Sequence, residues 1–190
     1  MLQVLTSAHC PNRKYGCREK IRKHEEECIH KPCYCPLSGC GFVASSKVLS
    51  DHLSHKHGDF LIKFCYGKSF VVSLKANDET IVLQEENDGK PFILNNSTTH
   101  LGNAVSICSF GPNARWSEYS YDILARSQKC KLELHSIVKS VQRVTLENLS
   151  SELMVIPFGS CKYLQLEICI TCVTLTVPLI SFYFRWLFSY

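Results

Sequence analysis

Short apolar runs separated by polar turns dominate the chain from residue 60 to residue 172. Apolar and polar residues alternate in "KLELH" (131–135) and in "LQLEI" (164–168), as they do in strands with one buried face. The breaks, such as "KANDE" and "ENDGK", are rich in turn-forming residues. About eight or nine such runs recur at intervals near a dozen residues, and no segment keeps a helical period for long. The pattern predicts an all-β antiparallel sandwich or barrel.

Residues 1–59 lack this alternation and concentrate cysteine and histidine instead. They hold six of the 12 cysteines and six of the eight histidines. A disulfide framework has no use for histidine, whereas zinc sites use both residue types. Since the start "MLQVLTSAHC" has no signal-peptide pattern, we expect a cytoplasmic or nuclear protein with reduced or metal-bound thiols. The net charge of +4 is too small to indicate nucleic acid by itself.

Two consecutive groups of cysteine and histidine have the spacing of zinc ligands. The first reads Cys10-x6-Cys17-x6-His24-x3-Cys28, and the second reads Cys33 or Cys35 followed by Cys40-x11-His52-x4-His57. Cys35-x4-Cys40 has the spacing of a two-cysteine, two-histidine finger, whereas Cys33-x6-Cys40 repeats the loop of the first group. Spacing alone leaves the choice between Cys33 and Cys35 open.

Each group supplies four protein ligands, which complete a tetrahedron and leave no open position for a substrate. The segment is also too short and too poor in large apolar residues to fold on its own core. Metal binding would provide the missing folding free energy. The sequence therefore predicts two structural zinc ions and no catalytic metal.

Enzyme motifs are missing from residues 60–172. The segment contains no GxxxxGK[ST] phosphate loop, no GxGxxG and no GxSxG.

The last residues, 173–190, form an atypical hydrophobic tail, "VTLTVPLISFYFRWLFSY". Although 17 residues from 168 to 184 are uncharged, the stretch is rich in Val, Thr and Ile and contains Pro178, so we do not expect it to span a membrane.

The sequence resembles the seven in absentia (SINA/SIAH) family of E3 ubiquitin ligases, in its plant SINA-like branch. The similar segments are "CPNRKYGC", "HEEEC", "PCYCPLSGCGFVASSKVLSDHLSHKHGD", "LQEENDGKPFILNN" and "HLGNAVSICSFGP". They lie between about Cys10 and Ile170, and the finger portion is the most specific.

This resemblance implies a domain plan. Residues 1–59 would be a SIAH-type double zinc finger, and residues 60–172 a TRAF-like β-sandwich that binds protein substrates and dimerises. Family members use the earlier cysteine of the Cys-x-Cys pair, which favours Cys33 over Cys35. The implied zinc ligands are Cys10, Cys17, His24, Cys28, Cys33, Cys40, His52 and His57.

Family ligases carry a RING domain before the fingers, and it recruits the ubiquitin-charged conjugating enzyme. Only nine residues precede Cys10, so we expect no RING here and no catalytic residues. The leading hypothesis is a substrate-recognition and dimerisation module that promotes ubiquitination through a RING-bearing partner or antagonises it. The alternatives are a nucleic-acid-binding finger protein and an autonomous E3 ligase. The helix "SSKVLSDHLSH" offers Lys47 but no arginine to read guanine, which disfavours the former.

Overall fold

The computed structural model describes residues 9–20, 24–74, 79–111, 118–126, 131–145, 153–158 and 164–173. The hydrophobic tail therefore lies outside the described residues, apart from Val173. Within the described residues, no helix is long and apolar enough to cross a membrane.

The N-terminal part is built from short elements around its cysteines and histidines. A 3-10 helix, Pro11–Tyr15, follows Cys10. A two-stranded hairpin, β1 (Cys33–Tyr34) and β2 (Val43–Ala44), leads directly into the helix α1 (Ser46–Lys56). A second 3-10 helix, Gly58–Phe60, then connects α1 to the strands that follow.

In the part of the chain that the structure describes, ten strands follow and form two sheets. Their bounds are β3 Leu61–Phe64, β4 Phe70–Leu74, β5 Glu79–Glu85, β6 Pro91–Thr98, β7 Gly102–Phe110, β8 Tyr119–Arg126, β9 Lys131–Ile137, β10 Lys139–Val141, β11 Met154–Pro157 and β12 Leu164–Cys172. The larger sheet has the order β10-β7-β6-β5-β3, and β11 also pairs with β7. The smaller sheet has the order β4-β12-β8-β9.

The two sheets enclose one apolar core between them. The alternation in the sequence places every second residue there, including Leu83, Phe92, Leu94, Val105 and Ile107 from the larger sheet and Tyr121, Ile123, Leu166 and Ile168 from the smaller one. This arrangement confirms the prediction of an all-β sandwich behind a zinc-finger module. Two of its pairings are parallel, however, namely β3 with β5 and β7 with β10. The reason is that the chain crosses to the smaller sheet between the two members of each pair.

The outer face of the larger sheet is buried as well. Val82, Ile93 and Cys108 face away from the sandwich core and pack in one cluster with Leu49 and Leu53 of α1, and all five side chains have no exposed surface. This explains why every residue of β7 is buried, since both faces of the strand are covered.

Hydrogen bonds join the same two parts of the chain. The amide of Tyr34 donates to the carbonyl of Gln142 at 2.9 Å, and Gln84 Nε2 donates to Ser54 Oγ at 2.6 Å. The second Cys/His group and the sandwich thus form one packed unit. The division of the chain at residue 59 into a finger module and a sandwich remains a prediction.

Candidate zinc centres

The first centre lies where the loop around the Pro11–Tyr15 helix meets the segment from His24 to Cys28. Gly16 ends the 3-10 helix with a φ of 105°, which a side chain would disfavour, and so turns the chain into Cys17. Cys10 Sγ lies 3.8 Å from Cys28 Sγ, and Cys17 Sγ lies 3.2 Å from His24 Nε2. The ligand atoms of Cys10, Cys17, His24 and Cys28 all lie within 4.8 Å of one another.

The second centre is assembled by the β1–β2 hairpin and α1. Cys40 Sγ lies 3.3 Å from His52 Nε2, and Cys35 Sγ lies 3.8 Å from His57 Nε2. The Nε2 atoms of the two histidines are 3.2 Å apart. His52 lies within α1, and His57 is the residue that caps its C-terminal end, so both histidines come from the C-terminal half of the helix and its cap.

These separations are those of atoms that share one zinc ion. Zinc bonds of about 2.3 Å to sulfur and 2.0–2.1 Å to nitrogen, at tetrahedral angles, place two sulfurs about 3.8 Å apart and a sulfur and a nitrogen about 3.6 Å apart. The shorter contacts in both centres fall within a few tenths of an ångström of these values. Three cysteines with one histidine, and two cysteines with two histidines, are both structural zinc sets. The prediction of two structural zinc ions is confirmed.

The structure brings together seven of the eight predicted ligands, and Cys35 takes the place of Cys33. Cys35 follows the end of β1 on the approach to the hairpin turn, where Cys40 lies on the returning chain. Cys33 pairs with Ala44, farther from that turn. Two residues of extended chain span about 6.6 Å, more than the separation of two ligands of one zinc ion. The assignment of Cys33 is corrected accordingly.

Cys33 lies in the same apolar cluster as Cys35 but outside the group of ligand atoms. Its side chain has no exposed surface and packs in the cluster that contains Leu49 and Val82. Its sulfur lies 3.8 Å from the carbonyl of Lys31, which it can reach as a weak donor. Burial raises the pKa of this thiol to about 11. Because its sulfur is not among the grouped ligand atoms, Cys33 packs in this structure as a small core residue, and the structure groups Cys35 where the prediction had Cys33.

Electrostatics in the first centre prepare one thiolate for the metal. Burial opposes the ionisation of Cys28, but hydrogen bonds from the backbone of His30 and from the side chains of Asn12 and His24 outweigh it and lower its pKa to about 7. Burial raises the pKa of Cys17 to about 11, helped by the neighbouring thiols. A bound cation would favour the deprotonated form of every thiol in the group.

In the second centre, the surroundings of His52 favour its neutral form. Burial lowers the pKa of His52, and the nearby positive charges of His57 and Lys56 lower it further. Neutral imidazole is the form that binds metal. The ring of Phe42 also stacks on His52 with centroids 3.9 Å apart and fixes its orientation. Sequence reasoning missed Phe42, although its position two residues after the ligand Cys40 could have indicated an aromatic ring close to the metal ligands.

Comparisons with known proteins agree with this geometry, although no family model matches the chain. Over 161 residues the chain is 31% identical to E3 ubiquitin-protein ligase SINA-like 10 of Arabidopsis thaliana, covering 78% of this chain and 44% of the relative. It is 28% identical over 179 residues to SINA-like 5 and 29% identical over 161 residues to SINA-like 3, both from Arabidopsis thaliana. Those matches cover 85% and 78% of this chain, and 54% and 53% of the relatives.

The chain thus spans about half the length of the curated relatives it matches. Within that span it carries two Cys/His groups, followed by a β-sandwich that packs against the second of them. The similar sequence extends over more than three quarters of the chain. On this evidence the chain is a relative of the SINA-like E3 ubiquitin-protein ligases over the part of their length that it spans.

Proposed function

We propose that this chain recognises protein substrates and dimerises within a SINA-type ubiquitin ligase system. It would present substrates to a RING-bearing relative, or withhold them from it. The proposal is supported by the similarity to ligases that are named for ubiquitin transfer and by zinc centres whose four protein ligands leave no open position for chemistry. Binding, rather than catalysis, is the task that such a scaffold fits.

The observation that carries the proposal is the edge strand β4. Among the described strands, β4 pairs on one side only, with β12. Its outward-facing Val71 is 63% exposed, while Val72 and Leu74 are buried in the core. An edge strand with free main-chain groups can accept an extended peptide as an added strand, and outward side chains then select its sequence. We propose that β4 receives an extended substrate segment with an apolar residue opposite Val71.

A matched pair of variants tests this assignment. Val71→Lys places a charge on β4, and Ile137→Lys places one on β9, the opposite edge of the same sheet. Both positions are at least half exposed, so neither change disturbs the core. Peptides selected from a random displayed library on the full chain should bind Val71→Lys at least about tenfold more weakly and Ile137→Lys normally. The reverse order of effects, or equal binding by both variants, would reject the β4 site.

Ubiquitin transfer tests the wider role. A selected peptide is fused to a carrier and incubated with activating enzyme, conjugating enzyme and full-length SINA-like 10, with and without this chain. The proposal expects ubiquitination of the carrier to rise or fall when the chain is added, and Val71→Lys to abolish the change. No effect of the chain on the rate would contradict it.

Dimerisation and location are separate parts of the proposal. Sedimentation of the zinc-loaded chain should show a dimer, or a mixed dimer with the relative, and a chain that stays monomeric in both conditions would remove this part. None of the described cysteines forms a disulfide bond, which suits the reducing cytoplasm or nucleus. Imaging of a tagged chain in plant cells tests that location.

The two other functions have assays of their own. Ubiquitin chains formed with this chain as the sole ligase would establish an autonomous enzyme. Retention on DNA at physiological salt, with the steep salt dependence of phosphate contacts, would establish a nucleic-acid-binding finger. Leu49 and Leu53 of α1 pack on the larger sheet and are therefore not available to contact bases in a DNA groove.

A further inference from the structure

Gln84 places a polar side chain in the contact between the larger sheet and α1. The residue is 9% exposed and follows Val82 by two positions on β5, so it lies on the sheet face where Val82 packs against Leu49 and Leu53. A buried amide costs free energy unless its hydrogen bonds are made. The partners of this side chain therefore indicate why a polar residue occupies an apolar contact.

A network of four hydrogen bonds, the α1 latch, joins Gln84 to the helix and to the β5–β6 turn. The Nε2 atom of Gln84 donates to Ser54 Oγ at 2.6 Å and to the carbonyl of Gly89 at 3.1 Å. Ser50 Oγ donates to the same carbonyl at 3.1 Å, and Ser54 Oγ donates to the carbonyl of Ser50 at 3.1 Å. Gln84 thus uses both of its amide hydrogens, and Gly89 bonds the turn to the helix.

The β5–β6 turn supplies a fixed acceptor. Gly89 has a φ of 68°, which favours glycine. The amides of Asn87 and Asp88 donate to the carboxylate of Glu85 at 2.6 and 2.8 Å. The amide of Gly89 donates to the carbonyl of Glu85 at 3.1 Å. Because these bonds hold the turn together without α1, the latch sets the position of the helix and not that of the turn.

The same helix and its cap carry both histidines of the second zinc centre. Ser50 and Ser54 each lie two positions from His52, about 200° around the helix axis, so they hold the side of α1 that faces away from this ligand. Apolar packing is non-directional, whereas hydrogen bonds fix direction as well as distance. We propose that Gln84, through the α1 latch, fixes the rotation of α1 on the larger sheet and so positions His52 and His57 for zinc. Gln84 is a positioning residue and not a ligand.

The first zinc centre is an internal control for this assignment. Its cysteines, Cys10, Cys17 and Cys28, form a cluster separate from the one that contains residues of α1. The four bonds of the α1 latch involve none of its ligands. Loss of the latch should therefore weaken the second centre selectively, which a general loss of stability would not do.

Cadmium-loaded full-length chain provides the test, because cadmium NMR reads the two centres separately. Each thiolate ligand deshields the nucleus, so the three-cysteine and two-cysteine centres give distinct resonances. Gln84→Met keeps the size of the side chain and removes its donors, and Gln84→Glu replaces the donor nitrogen by an oxygen. Both should shift the two-cysteine resonance and leave the other unchanged. Competition of the zinc-loaded chain with a chelator should show a loss of affinity at the second centre of about tenfold. Adding Ser54→Ala to Gln84→Met should cause little further loss, since both changes remove the same bond.

Asn103→Leu is the matched control for the loss of a buried amide from the larger sheet. Asn103 is 8% exposed, and its Nδ2 donates to Asn96 Oδ1 at 2.8 Å. It pairs with Thr98 at the end of β6, whereas Gln84 pairs with Pro91 at the start of that strand. This variant should leave both resonances and both zinc affinities unchanged. An unmoved two-cysteine resonance with unchanged affinity in Gln84→Met and Gln84→Glu, or an equal change in Asn103→Leu, would overturn the proposal. If the Gln84 variants fail to fold, Ser54→Ala alone decides it, because this half-buried change removes one latch bond and should still shift the two-cysteine resonance.

Discussion

Replacing Cys33 and Cys35 one at a time with alanine separates a core residue from a metal ligand. Both side chains are buried, with exposed fractions of 0% and 9%, and both belong to the same apolar cluster. Only Cys35 has its sulfur within 4.8 Å of the ligand atoms of Cys40, His52 and His57. The two variants therefore remove the same atoms from neighbouring buried positions and differ in their relation to the metal.

The expected magnitudes are far apart. Cys33→Ala removes one buried sulfur and leaves a small cavity, comparable to an Ile→Val change of about 0.5–1.5 kcal/mol. Cys35→Ala leaves the second centre with three protein ligands. Structural zinc contributes on the order of 10 kcal/mol to the folding of a finger, which is comparable to the whole stability of a domain. Losing even half of this amount would release α1 from the sheet.

Native mass spectrometry and thermal unfolding measure both consequences. Cys33→Ala should keep two zinc ions per chain and melt a few degrees lower. Cys35→Ala should keep one, expose the outer face of the larger sheet to a hydrophobic dye, and lose the stabilisation that added zinc gives the parent chain. Two zinc ions in Cys35→Ala together with one in Cys33→Ala would refute the reasoning from hairpin geometry and restore the ligand that the family resemblance implies.

Three further changes probe the fold around the centres. Leu53→Ala removes a fully buried side chain between α1 and the sheet and should lower the free energy of unfolding in urea by about 2–5 kcal/mol. Its control is Val48→Ala on the same helix, where the side chain is 48% exposed, and this change should alter the free energy of unfolding by no more than about 0.5 kcal/mol. Amides of Asp88 and the preceding residue donate to Glu85 and hold the pKa of that carboxyl low. Its stabilising effect is present above the unfolded-state pKa and is lost as the pH falls through the folded-state value, so Glu85→Gln should flatten the acid limb of stability against pH. Gly102→Ala would place a Cβ 2.1 Å from a backbone oxygen of β11 at a φ of 153°, and should lower the midpoint of thermal unfolding by several degrees.

The sandwich could be predicted from the sequence because its signal is local. In β9 partly buried residues alternate with exposed ones, and in β12 the buried residues Leu166, Ile168 and Ile170 alternate with more exposed ones. The near-continuous apolar run "PFIL" at the start of β6 also signals a strand buried on both faces. What covers the second face depends on packing between distant segments, and nothing in the alternation identifies α1 as the cover.

The choice of cysteine in the second centre was beyond the sequence for a related reason. Cys33 and Cys35 have equal chemistry and differ by two positions, so spacing rules accept both. The hairpin register decides between them, because Cys33 pairs with Ala44 while Cys35 lies nearer the turn that carries Cys40. Cys33 and Cys35 both pack in one cluster with Val82 and Ile93, some fifty residues away, and such distant contacts are not visible in the local spacing of the cysteines.

The helix α1 contacts both the second zinc centre and the larger sheet of the sandwich. The proposed peptide site at β4 lies on a different surface of the molecule. His52 of α1 faces the second zinc centre, while Leu49 and Leu53 of the same helix pack on the larger sheet. Zinc binding therefore stabilises the larger sheet from outside, because ordering the helix buries that face. The edge strand β4 belongs to the smaller sheet, on the other side of the core. A peptide added at β4 would not compete with the finger for the same surface. Chelation should thus weaken peptide binding through loss of the fold, whereas Val71→Lys should weaken it with both zinc ions still bound.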